Sequence, residues 1–185
     1  MDDPWIAANS PIEAEKLHAM GVITFHWNVC EFYLRSLLAF AAHRPFDSVW
    51  TETSSQRPRN IYAKIRRAVA DSRDAEATKE AILYAIALYD RNRENRAQIT
   101  HFLPEGGVSS ALHNNKNPDF LAIFDQTPIR SDIDALRRVA EDIRTCRTYL
   151  AGLINALSRT PLDAMIGKAG PMPDKPPLPT LLWTP

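Results

Sequence analysis

The stretch "SPIEAEKLHAMGVITFHWNVCEFYLRSLLAF", residues 10–40, sets the fold class. It opens with a serine, a proline at the first helical position and a glutamate that can reach back. That is the signature of a capped helix start. At 100° per residue, Met20, Ile23, Trp27, Cys30, Leu34, Leu37 and Leu38 form one stripe. Phe25, Val29, Phe32, Tyr33 and Phe40 occupy much of the other side. A helix apolar nearly all round has to be covered on both faces. In a chain of 185 residues, this predicts either a central helix or one shared with a second copy.

Working outward, Pro45 in "AAHRPFDSVW" breaks that helix. A second helix is predicted over 58–71, with Ile61, Ile65 and Val69 inward. A third is predicted from about Asp74, with Ile82, Ala85, Ile86, Leu88 and Tyr89 on its apolar side. "LPEGG", residues 103–107, stops it. The segments "VSSAL" and "FLAIF" flank a turn-forming "NNKNP", so residues 108–129 read as an irregular insert or a short β-hairpin. A last helix begins at the capping box "SDID", residues 131–134, and carries Ile133, Leu136, Ala140, Ile143, Leu150, Ile154 and Leu157 on one stripe. From Pro161 onward come seven of the fourteen prolines, which predicts an extended or mobile arm with "LLW" available for docking. The fold class is therefore all-α, a bundle of four to five helices over residues 10–158 with a proline-rich arm over 159–185.

Twenty-two basic residues balance twenty-two acidic ones, so no global field draws the chain to polyanions. Any such binding needs a local patch. The N-terminus lacks a basic segment followed by an apolar one, and no apolar run has membrane-spanning length. The two cysteines, Cys30 and Cys146, fall on helices and read as small buried hydrophobes, in keeping with a reducing cytoplasm. A metal site finds little support. Glu15 and His18 make a single E-x-x-H, there is no H-E-x-x-H, and no cofactor is expected.

Residues 91–102, "RNRENRAQITHF", concentrate polar nitrogen at the end of the third helix. Arg96 and Asn92 project into the same arc as Ala85, Leu88 and Tyr89. An arginine on an apolar stripe needs a partner, and Glu31 of the first helix is the expected one. His101 lies five residues on, about 140° away on an ideal helix. Convergence with Arg96 then requires a loosened helix end or two copies meeting across a two-fold axis. Arg137, Arg138, Arg144 and Arg147 of the last helix read as a solvent face paired with Glu141 and Asp142.

The run from Asn95 to His101 resembles the R-x4-6-H motif of the HEPN superfamily, small helical-bundle proteins of prokaryotic conflict and RNA-processing systems. The resemblance covers residues 10–158 as a helix pattern. It implies a homodimer acting on RNA as a metal-independent endoribonuclease. Attack by the RNA's own 2′-hydroxyl would leave a 2′,3′-cyclic phosphate. Arg96 would clamp the phosphate and His101 would act as general acid and base, with Arg93, Asn92 and Asn95 contributing to substrate binding. An imidazole titrates near neutrality, and a guanidinium fork matches phosphate oxygens. The family usually places a polar residue directly after the arginine, whereas this chain has Ala97. That departure suits the alternative, a non-catalytic dimeric binding or regulatory protein of a toxin–antitoxin or defence system, with a cognate antitoxin or regulatory protein as its partner.

Overall fold

A computed structural model describes residues 4, 14–100, 133–157 and 171–182. Five helices make up the body: α1 (Ala14–Ala41), α2 (Phe46–Thr53), α3 (Pro58–Asp71), α4 (Glu76–Thr100) and α5 (Ile133–Leu157). No β-strand occurs among the described residues. The expected hairpin insert and the serines of both capping boxes lie outside them.

The central position predicted for α1 is observed. It packs along α5 and also touches α2, α3 and α4. Its stripe from Ile23 through Trp27, Cys30, Leu34 and Leu37 is sealed, against Val139, Ile143, Cys146, Leu150 and Leu153 of α5 among others. The second side is covered unevenly. Tyr33 and Phe40 pack onto the core, but Phe25 and Phe32 remain 61% and 44% exposed. Cys30 and Cys146 are buried free thiols, and Cys30 Sγ points to the Ile143 carbonyl at 3.7 Å. A hydrogen bond donated by the Cys146 thiol to Cys30, together with burial, pushes the Cys146 thiol well above its ordinary pKa, which makes it an inert packing group.

The break at Pro45 holds, but the chain does not continue as a loop. Pro45 supplies the N-cap of α2, which the sequence reading did not anticipate. Eight residues give too short a window for periodicity to register. Only Val49 and Thr53 face fully inward, while Phe46 and Trp50 lie over Phe32 with ring centroids 5.0 and 6.2 Å from it. The helix is held by its contact with α1 rather than by its own pattern.

The turn between α1 and α2 is closed by His43 at φ 50°, the left-handed conformation that glycine normally takes after a helix. The His43 N–H donates to the Phe40 carbonyl at 3.0 Å, and the Arg44 N–H donates to the Ala39 carbonyl at 2.9 Å. These bonds satisfy two carbonyls that the helix end would otherwise leave open. Replacing His43 with glycine removes the Cβ penalty while keeping both bonds. His43→Gly is expected to raise unfolding stability by about 0.5–1 kcal/mol, seen as a higher urea midpoint at unchanged m-value.

Candidate functional site

Residues 91–100 form the last turns of α4, and α1 and α3 supply their aromatic surroundings. Trp27 stacks on Tyr89 with centroids 4.5 Å apart, and Tyr62 of α3 meets Tyr89 edge-on at 5.7 Å. All three rings are buried. Burial raises the hydroxyl pKa of both tyrosines, and the nearby Asp90 carboxylate adds to the effect at Tyr62. Neither phenol is placed for proton transfer near neutral pH.

Arg96 lies half-buried at the end of this row, its guanidinium carbon 5.2 Å from the centre of the Trp27 ring. Such a cation–π contact draws the guanidinium to the face of the indole. The expected ion pair with Glu31 is replaced by an arrangement in which Trp27 is the common partner. Its Nε1–H donates to Glu31 Oε1 at 3.0 Å while its ring carries Arg96. Among the described residues the charge partner of Glu31 is Arg35, at 3.8 Å, one turn further along α1. Arg35 is itself 7% exposed and stacks over Trp50 at 5.2 Å. A continuous line of indoles and charges thus runs from Arg96 through Trp27, Glu31 and Arg35 to the exposed rings of α2. The geometry reflects competition. A tryptophan four residues before a glutamate on one helix face satisfies that carboxylate locally, before a more distant arginine can.

The other members of the motif serve the fold. Asn92 is fully buried and its Nδ2 donates to the Leu88 carbonyl at 2.9 Å. Arg93 is held by Asp90 at 2.8 Å, with Glu94 at 3.9 Å. Asn95 is also fully buried. Its Nδ2 donates to the Thr180 carbonyl at 3.0 Å, and its Oδ1 accepts the Leu182 N–H at 3.1 Å. One side-chain amide therefore reads two backbone groups of the proline-rich arm. His101 lies outside the described residues.

The arm over residues 171–182 is extended and follows α4 from its first turns to the motif. Lys175 pairs with Glu80 at 2.5 Å and stacks on Tyr84 at 5.5 Å. The Tyr84 hydroxyl donates to the Pro176 carbonyl, and Leu182 packs on the core. The register is simple. Seven extended residues from Lys175 to Leu182 span about 22 Å, as do fifteen helical residues from Glu80 to Asn95. Gly152 of α5 makes room for the arm, since a Cβ there would lie 3.2 Å from Pro173. The sequence identified an arm able to dock. The signal for its seat was Asn95, a polar group on a face with nothing polar to meet it.

Of the last helix, Arg137 pairs with Glu15 and Asp134, and Arg144 pairs with Glu141, as a solvated face would. Among the described residues no group of three His, Cys, Asp or Glu side chains gathers, and no helix is long and apolar enough to cross a membrane. Comparison with protein-family models, with curated proteins and with solved structures finds no match to this chain.

Two outcomes follow for the arm. Asn95→Leu removes both bonds while keeping the branching of the side chain, and is expected to weaken docking by roughly 1–3 kcal/mol, read as lost exchange protection of the Leu182 amide. The Lys175 ammonium lowers the Glu80 pKa, so this contact contributes fully above the ordinary carboxylate range. Its contribution is lost as pH falls through the depressed folded value, and the Lys175 side-chain NMR resonances should move toward their free positions over that acid range.

Proposed function

We propose that this chain is a HEPN-like protein that handles RNA through the C-terminal end of α4, cutting it without a metal. The observation that carries the reading is the seating of Arg96 on Trp27. A guanidinium held against an indole is restrained before any substrate arrives, and its fork matches phosphate oxygens. RNA brings its own nucleophile, so cleavage needs proton transfer and charge stabilisation only. His101 is assigned the proton transfer and Arg96 the phosphate.

A second copy of the chain belongs to this reading, and the exposed rings of Phe32 and Trp50, 44% and 43% accessible, offer it a surface. Large aromatic side chains grouped at a surface are the usual composition of an interface core.

A non-catalytic binding or regulatory dimer is the second reading, and Asn95 favours it. Both polar atoms of that amide are committed to the arm, and the position after Arg96 is an alanine. A labelled oligoribonucleotide incubated with the purified protein in excess EDTA separates the two. The expected result is cleavage leaving a 2′,3′-cyclic phosphate, reduced at least a hundred-fold in His101→Ala and in Arg96→Ala and abolished on a 2′-deoxy substrate. Binding without cleavage selects the regulatory dimer. Cleavage that survives His101→Ala removes the proposed site.

A further inference from the structure

We propose that the solvent face of α3 is a docking track for a single-stranded nucleic-acid backbone, distinct from the Arg96 end of α4. That the strand is RNA rests on the function proposed above; the track itself rests on α3 alone.

From Thr53 to Ala70 the chain contains no carboxylate, but it does contain Arg57, Arg59, Lys64, Arg66 and Arg67. This is the local excess of positive charge that a neutral chain needs to hold a polyanion. The helix sorts these residues by direction. Ile61, Tyr62, Ile65 and Val69 are buried against the body. Arg59, Ala63, Arg66 and Ala70 fall on one stripe on the opposite side with Arg67 beside it, all of them exposed. Two alanines between arginine forks leave a low surface on which a chain of phosphates can lie. Arg59 and Arg66 are seven residues apart, about 10.5 Å along the axis.

The charge is available. Arg57, Arg59, Arg66 and Arg67 make no ion pair among the described residues, in contrast to Arg93, Arg137 and Arg144. The acid brought to α3 from outside is Glu52, and Lys64 and Arg44 together claim it. These two cations hold the Glu52 carboxyl at a pKa of about 2, so it stays ionised and engaged at any working pH. The Lys64 charge is thereby offset while the arginines are not. Alongside runs a groove of about 670 Å³ between α3 and the end of α1, lined by Arg44, Lys64 and Arg67 and also by the carboxylates of Glu52 and Asp71, so the track is the arginine stripe and not this groove.

A membrane surface fits this face poorly. An interfacial helix inserts an apolar side, and that side of α3 is already spent on the core. Arginine rather than lysine predominates, which suits bidentate contact with phosphodiester oxygens. The track also leads towards the motif. Tyr62, in the first half of α3, packs on Tyr89 and feels the charges of Asp90 and Arg93, so this half of α3 is the one that adjoins Arg93 of α4.

The test is fluorescence anisotropy of a short labelled oligouridylate with the full chain in EDTA, over a series of salt concentrations. The variant Arg59→Gln/Arg66→Gln/Arg67→Gln is compared with Arg137→Gln/Arg138→Gln/Arg144→Gln, which removes equal charge from exposed positions of α5. The α3 variant is expected to lose at least ten-fold in affinity at low salt. It should also flatten the log–log salt slope by about 2, since each phosphate contact on a single strand contributes about 0.7. The α5 variant should stay within about two-fold of the parent, and lysine at the three α3 positions should restore most of the slope. Equal losses in the two glutamine variants would overturn the track, and so would unchanged binding in the α3 variant. Tighter binding to anionic vesicles or polyglutamate than to the oligomer would also overturn it. If the α3 variant loses a deoxy-oligomer as fully as the ribo-oligomer and the parent cuts neither, the track stands and the RNA-cleaving function falls.

Discussion

The indole of Trp27 is the point on which the interior and the candidate site both depend. It sits in the apolar stripe of α1, covers Tyr89 of α4 and carries the guanidinium of Arg96, while its one polar atom is satisfied by Glu31. A buried tryptophan generally needs such a partner for its N–H. Because Glu31 lies one turn away on the same helix, that need is met locally and the rest of the ring is free to serve α4. The same side chain therefore fixes the spacing of α1 and α4 and the orientation of the arginine at the motif.

Around that point the molecule places its polar groups economically. Asn92 and Asn95 are wholly inside, one bonded within its own helix and the other to the arm. A buried amide left without a partner is costly, which is why Asn95 and the arm belong together. The exposed arginines of α3 are on the opposite terms, fully hydrated and largely unneutralised. The first group stabilises the fold, and the second is left to act outside it.

Much of the architecture was legible because periodicity and punctuation agree. The α3 limits at Pro58 and Asp71 and the central position of α1 follow from residues such as Pro58, Ile61, Ile65 and the two-sided apolar pattern of residues 20–40. Where contact rather than pattern decides, the sequence was mute. The helix α2 is eight residues long and exists by leaning on Phe32. The Arg96–Glu31 pair follows from the positions of both residues on their helix stripes, but that reading leaves out the ring of Trp27, on which Arg96 lies. Buried Arg35, likewise, is held by Glu31 one turn back and by the ring of Trp50, a residue of the short helix that periodicity does not reveal.

The way the arm is held has a consequence for how it can change. Asn95 and Tyr84 recognise main-chain atoms at Pro176, Thr180 and Leu182, and these groups are common to almost any amino acid. What the seat measures is distance. Side chains between Pro176 and Thr180 can drift with little effect. One inserted or deleted residue there, by contrast, would put the carbonyl and N–H out of step with the amide, so in this segment spacing is the heritable property and composition is not.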